Sequence, residues 1–427
     1  MRARATVAAL VAMVTVAASC TPGRSSRAAT STTDVGTTTT TAPAPRRTGP
    51  LRIGVLLPAA TTDASFGAPL VAAVQLAVND INDAGGVNGE RVVVVRHEEG
   101  PDIAATITRL NSMISDDRVD AVIGPASSRS ALAAIDVANR NEVAVCSPTA
   151  RTLTLSAYPN NRYFFRTMPS DELEAKALAR TLVLAGLPDT TVLYSDDEYG
   201  LAMANTMRAA LSGSLTVRSI AYQTGAADAS APVRDALSGN PSTLVVIGGS
   251  DDGARILAQL TKEEANGRRI PTFVTDAMLR TDLIDKVAPG RPDGLVNVKG
   301  VAPSATPLDP AFAARLGSSA AGTNFAAYAY DCVNLIALAA QNDKAVDPRV
   351  FAPMVADVSQ IGSPCDSYAS CTGLIASNRN IDLQGESGAL DLRANGDVGS
   401  GRFDVFTFDS SGRDVFDSTI SIGADGR

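Results

Sequence analysis

The sequence predicts an α/β protein of two wound lobes, preceded by an export signal and a tether. Three observations carry this. Short apolar runs alternate with stretches of helical spacing over most of the chain. The part from Leu51 onward is 377 residues long, and single hydrophobic cores stop growing at about 250–300 residues, so two domains are expected. The first 50 residues differ in composition from everything that follows.

Arg52–Pro58 is an apolar run ending in Pro and reads as a buried strand. Gly67 to Ala84 has helical spacing (Val71, Val74, Ala77, Val78, Ile81) and stops at Gly85-Gly86, where a helix ends readily. Glu90–His97 reads as strand, Ile103–Ile114 as helix, Val119–Gly124 as strand, Ser130–Arg140 as helix and Val143–Ser147 as strand. The alternation then repeats. Helices are expected at Glu172–Ala185, Ala202–Leu211, Val233–Leu237 and Ala254–Glu264. Strands are expected at Thr191–Tyr194, Thr216–Tyr222, Leu244–Gly248 and Thr272–Thr275. Such βαβ units give parallel sheets covered on both faces. Gly294–Pro303 then reads as extended, Asn324–Gln341 as a strongly apolar helix, and the residues after Gly373 as short strands and turns. Two wound lobes followed by more chain imply a return to the first lobe, and the parallel crossovers act as a hinge.

At the start, Arg2 and Arg4 precede an apolar run from Ala5 to Ala18 that closes at Ala17-Ala18-Ser19-Cys20. The run is shorter than the roughly 20 residues that cross a bilayer, so residues 1–19 read as a secretory signal. Cys20 stands where a bacterial lipoprotein signal has its lipid-bearing cysteine; the departure is Ala17, where a larger aliphatic residue is usual. Residues 20–50 are rich in Thr, Ser, Ala and Pro, with a Thr run at Thr37–Thr41. They hold too little apolar surface to offset ordering entropy and read as a disordered tether. The expected location is therefore extracytoplasmic, on a bacterial membrane through the lipid.

Removing the six Arg and one Asp of residues 1–50 from 37 basic and 45 acidic residues leaves 31 and 44, a net of −13. That charge argues against nucleic acid or anionic lipid as a partner. No G-x-S-x-G, P-loop or G-x-G-x-x-G follows a strand, and no His/Cys cluster has metal spacing. The one histidine, His97, ends a strand beside Glu98-Glu99 and reads as solvated. The pattern points away from an enzyme and calls for no cofactor and no metal. Five cysteines suit an oxidising compartment. Cys365 and Cys371 flank a short polar loop, and a local disulfide is expected. Cys146 and Cys332 sit in an apolar strand and an apolar helix; each reads as a small buried hydrophobe, and a bridge between them stays open.

The motifs then become specific. R-I-G-V-L-L-P at Arg52–Pro58, A-V-Q-L-A-V-N-D-I-N-D-A-G-G-V-N-G-E at Ala73–Glu90 and V-D-A-V-I-G-P at Val119–Pro125 come in order. C-S-P-T-A at Cys146–Ala150, F-F-R-T at Phe164–Thr167 and D-D-E-Y-G at Asp196–Gly200 follow, then G-G-S-D-D at Gly248–Asp252, Y-A-Y-D-C at Tyr328–Cys332 and G-E-S-G-A-L-D-L-R-A-N-G-D at Gly385–Asp397. Together they resemble the type I periplasmic solute-binding proteins, in their leucine/isoleucine/valine-binding branch. The resemblance implies a clamshell of two Rossmann-like lobes joined by a three-crossover hinge. Lobe I would hold residues 51–168 and 298–402, and lobe II residues 169–297 and 403–427. It also implies a monomer that captures a small polar ligand (an amino acid, an amide or a related carboxylate) for an ABC permease and ATPase. The alternative is a sensory receptor of the same fold acting through a partner protein.

Ligands of open α/β sheets bind at the carboxyl ends of strands. By the resemblance, Ser128 holds a ligand carboxylate at the start of a helix, where free N–H groups suit an anion. Thr149 offers its carbonyl to an ammonium, Phe66 and Tyr199 form aromatic walls, and Asp276 lies close to the family carboxylate that pairs with an amino group. Arg151 and Ser250 depart from the residues usual in amino-acid binders. Arg151 is suited to a second anionic group of the ligand or to an ion pair with Asp or Glu.

Overall fold

The structure is a computed structural model. It describes residues 47–58, 66–159, 161–264, 267, 269–317 and 325–423, all within one compact unit spanning Arg46–Arg427. The expected signal, Cys20 and the tether up to residue 46 lie outside the described residues. No helix among those described is long and apolar enough to cross a membrane.

The first lobe forms from the opening apolar runs. Strands β1 (Arg52–Leu57), β2 (Val93–Glu98), β3 (Ala121–Ile123), β4 (Ala144–Ser147) and β5 (Phe164–Arg166) make a five-stranded parallel sheet in the order β2-β1-β3-β4-β5. Helix α1 (Gly67–Asp83) buries Leu70, Ala73, Val74, Ala77, Val78 and Ile81, a stripe at three- and four-residue spacing. It is followed by Gly85 and Gly86 at φ 105° and 76°, the left-handed turn that glycine adopts freely. Helix α2 (Ile103–Ser115) is capped by the Asp102 side chain, and α3 (Ser128–Asn141) by that of Ser127. A four-residue helix, α4 (Leu153–Ser156), follows β4.

The second lobe continues the alternation: α5 (Asp171–Leu184), β6 (Asp189–Ser195), α6 (Glu198–Ala210), β7 (Thr216–Tyr222), α7 (Ser230–Ser238), β8 (Leu244–Ile247), α8 (Ser250–Glu264), β9 (Thr272–Val274), α9 (Leu283–Val287) and β10 (Val298–Pro303). The chain then returns through α10 (Phe312–Leu316), α11 (Ala326–Asn342) and α12 (Pro348–Phe351). A small sheet follows, of β11 (Ser363–Cys365), β12 (Ile381–Gly385) and β13 (Gly388–Ala389), with α13 (Tyr368–Ala376) between the first two. Last come β14 (Gly401–Phe408) and β15 (Asp414–Ile422), so the second sheet has seven strands in the order β15-β14-β10-β9-β8-β6-β7. The chain passes between the two sheets three times: after Arg166, after Pro303 and before Gly401.

Three expectations need correction. Val298–Pro303, assigned by sequence to lobe I, pairs in parallel with β9 and antiparallel with β14, so it belongs to the second sheet and the return begins after Pro303. An apolar extended run fits either sheet; the pairing partners decide. Gly294, expected in an extended segment, lies in a short 3-10 turn, Pro292–Leu295. The tail is also longer than short strands, since β14 and β15 form a hairpin of eight and nine residues.

Helix α11 lies buried along the first lobe beside α1 and is fastened there by side chains. Cys332 on α11 is disulfide-bonded to Cys146 on β4, and Cys365 is bonded to Cys371. The fully buried Asp331 carboxylate accepts from Glu386 N at 2.9 Å, Ser387 N at 2.9 Å and Ser387 Oγ at 2.6 Å. This holds the β12–β13 turn, and any Cβ at Gly385 would collide with that carboxylate.

Candidate functional site

The carboxyl ends of β3, β4 and β5 face, across the lobe boundary, those of β6 and β9. The loop after β3 ends in the Ser127 cap: Ser127 Oγ accepts from Ser130 N at 3.1 Å. Glu99, just beyond β2, reaches over to accept from Ala126 N at 2.8 Å and Ser127 N at 3.3 Å. Among the described residues the N–H groups of Ser128 and Arg129 have no partner, so the start of α3 keeps two donors and a positive dipole end for an anion. The loop after β4 is pinned to this one. Thr149 Oγ1 donates to Ala126 O at 2.8 Å, and Arg151 N donates to Ser128 Oγ at 3.1 Å.

Arg151 then extends into the second lobe. Its Nη1 lies 2.9 Å from Glu174 Oε2 and in contact with Asp276 Oδ2, and its Nε is 3.6 Å from Asp171 Oδ1. Glu174 and Asp171 stand on the first turns of α5, and Asp276 follows β9. The other Glu174 oxygen accepts from Asp276 N at 3.0 Å, and Asp171 N donates to Arg151 O at 3.0 Å. Thr154 on α4 donates to Glu198 on α6, a second bond across the gap. Among the described residues the Tyr199 hydroxyl, buried beside the cluster, has no hydrogen-bond partner, and neither have Asp276 Oδ1, Asp171 Oδ1 and Thr275 Oγ1.

The electrostatics follow from one guanidinium facing three carboxylates. Burial pulls the Arg151 guanidinium down, but the charges of Asp276, Glu174 and Asp171 together more than reverse it and leave it well above its ordinary range. Burial, then the charge of Asp276, pushes Glu174 well above the carboxylate range against the pull of Arg151. Burial likewise raises Asp171 to about 6, opposed by Arg151. Burial and the charges of Glu174 and Asp276 push the Tyr199 hydroxyl well above the tyrosine range.

Of the residues expected from sequence, Ser128, Thr149, Arg151, Tyr199 and Asp276 fall in this one network. Phe66 stands apart, edge-on to Phe325 at 6.2 Å, and lines a cavity of about 1190 Å³ with Glu99, Ala126 and Ser127. Ser250 opens α8, is exposed, and makes none of the bonds that tie the others. Sequence reasoning missed Asp171, Glu174 and Glu99. The available signal was the spacing of Asp171 and Glu174, one face of α5 just after the F-F-R-T segment.

The fold and this interlobe geometry define a two-lobed binding protein. The family described as "Periplasmic binding protein" matches residues 50–365, and the chain belongs to it, as a type I member of the Leu/Ile/Val-binding group. Among curated relatives, the chemotactic signal transduction system substrate-binding protein BasB of Halobacterium salinarum is 25% identical over 81% of this chain and 84% of its own. The Leu/Ile/Val-binding protein BraC3 of Rhizobium johnstonii is 29% identical over 39% of this chain and 46% of its own. Among solved structures, a branched-chain amino acid ABC transporter periplasmic ligand-binding protein from Burkholderia xenovorans superposes with a TM-score of 0.69 at 17% identity, covering 88% of this chain and 96% of that one. The branched-chain amino acid transporter substrate binding protein LivJ from Streptococcus pneumoniae, in complex with isoleucine, gives 0.61 at 19% identity, covering 88% and 100%. These last two establish the fold. The relatives are named as binding proteins, and the family is periplasmic.

Proposed function

We propose that the chain is an extracytoplasmic solute-binding protein that encloses a small polar organic ligand between its lobes and delivers it to an ABC importer. The candidate ligands are amino acids, amides and related carboxylates. The observation that carries this reading is the meeting of strand-end loops from both sheets at Arg151, beside free donors at the start of α3 and buried acceptors near Asp276. In this reading Ser128 and its neighbouring N–H groups hold an anionic group, Thr149 fixes the loop, and Tyr199 and Asp276 close from the second lobe. Phe66 and Ser250 border the entrance. Cys20 bears the lipid and residues 20–50 form the tether.

A thermal-shift screen against amino acids, amides, polyamines and aromatic acids, followed by titration calorimetry, tests it. Ser128→Ala removes a charge-assisted donor and is expected to weaken binding by about 10- to 150-fold. If Ser128→Ala and Tyr199→Ala both bind as the wild type does, the cleft assignment fails. The similarity to BasB favours a second reading, sensing through a partner protein. A deletion strain that keeps solute uptake but loses taxis toward the solute would support sensing, and the reverse would support transport.

A further inference from the structure

The carboxylate wall of the second lobe already has a cation, and it belongs to the chain. Arg151 crosses from the first lobe and takes Glu174 Oε2 and Asp276 Oδ2, with Asp171 Oδ1 at 3.6 Å. Its backbone is fixed on both sides, by Ser128 Oγ and by Asp171 N, so little conformational freedom is lost in holding it there. We propose that Arg151 sets the specificity of the cleft: it supplies the positive charge that the second-lobe carboxylates need, so the site selects carboxylate solutes whose remaining polar groups are uncharged donors, hydroxyl or amide, over those that bring an ammonium. This rests on the reading of the cleft as a solute site.

An ammonium from solution competes for these oxygens with a guanidinium tethered beside them, which acts at high effective concentration. The guanidinium is also the better match to paired carboxylates, being planar and weakly hydrated. Among the described residues three side-chain oxygens stay buried without a hydrogen-bond partner, Asp276 Oδ1, the Tyr199 hydroxyl and Thr275 Oγ1, and Asp171 Oδ1 has only the Arg151 guanidinium at 3.6 Å. Leaving such atoms unpaired is costly, so a ligand group that donates to them is rewarded. It need not be charged, because Arg151 already brings a cation to these oxygens and burial favours the uncharged forms of Glu174 and Asp171.

The experiment compares matched acids on the exported chain by titration calorimetry: alanine with lactate, leucine with 2-hydroxy-4-methylpentanoate, phenylalanine with 3-phenyllactate, and glutamate with 2-hydroxyglutarate. For the side chain that fits, the hydroxy acid is expected to bind the wild type at least about tenfold more tightly. Arg151→Ala and Arg151→Gln reverse the order, and Arg151→Lys, which keeps the charge, preserves it. A wild type that prefers the amino acid, or an order that Arg151→Ala and Arg151→Gln leave unchanged, overturns the inference alone. Silence from every pair in the wild type and in all three variants overturns the capture reading as well.

Discussion

Two arginines separated by one short helix, Arg166 and Arg151, are both held by carboxylates, yet their settings differ. Arg166 is fully buried, and its Nε donates to Asp397 Oδ1 at 2.7 Å. Its remaining donors go to Thr152 O at 3.0 Å and Ser156 Oγ at 2.6 Å, and its own N–H bonds Gly396 O at 2.9 Å. One charge meets one charge within the first lobe, and the pair joins the first passage between lobes to the third. Arg151 is a quarter exposed and meets three carboxylates, all in the other lobe. A balanced pair inside one lobe has nothing to gain from motion. An unbalanced set across two lobes changes with every change in their separation, and it leaves acceptors for something else to satisfy.

Breaking the first setting has the largest expected effect. Arg166→Ala leaves Asp397 buried without its partner, and the loss is expected at about 3–5 kcal/mol in denaturant unfolding of the exported chain. A loss under about 1 kcal/mol would show that Arg166 does not rivet the passages. Next is the bridge from β4 to α11. Replacing both Cys146 and Cys332 by Ala frees a closure of 186 residues, and the expected cost is about 2–4 kcal/mol. Non-reducing peptide mapping that finds these two thiols free would remove the basis for it.

Most of the fold was readable because its signals are local. The stripe of α1 and the runs of β1 and β8 are set by neighbours in sequence. What failed to show depends on distant partners. Val298–Pro303 reads the same in either sheet until β9 and β14 are beside it. Cys146 and Cys332 reveal a pairing only when α11 lies on the first sheet. At the site, the strand-end rule picked the loops and the family resemblance picked Ser128, Thr149, Arg151, Tyr199 and Asp276 within them, which fall in one network. Asp171 and Glu174 escaped because acidic residues in a helix's first turn already have an explanation in the helix dipole. Only the passage between lobes carries them to Arg151.

The titration of Asp171 sharpens the contrast. Its carboxyl is raised to about 6 from an ordinary value of 3.8, chiefly by burial. The fold therefore favours the protonated form. The stabilisation that follows is fully present below about pH 4 and is lost as pH rises through about 6, an amount on the order of 2–3 kcal/mol. Asp171→Asn keeps the shape and removes the proton. The variant is expected to gain on the wild type in unfolding free energy as pH goes from 4 to 7, and equal slopes would show that Asp171 is not held in the cluster.

Arg151→Ala has the smallest expected effect on stability and the clearest effect on shape. The three carboxylates it leaves behind need not stay buried, because parting of the lobes lets water reach Asp276, Asp171 and Glu174. That escape is closed to Asp397, which sits within one lobe. The unfolding free energy is thus expected to fall by less than about 1 kcal/mol, in the range of a typical exposed substitution, against the several lost at Arg166. The ligand-free variant has lost the guanidinium that joins the lobes, and keeps across this part of the gap the backbone bond from Asp171 N to the carbonyl of residue 151 and the bond from Thr154 to Glu198. Its radius of gyration by small-angle scattering is expected to exceed that of the ligand-free wild type. Equal radii would mean that Arg151 does not hold the lobes together. A stability loss as large as that of Arg166→Ala would mean that both arginines are rivets of one kind, and the distinction between a balanced pair within a lobe and an unbalanced set between lobes would fall.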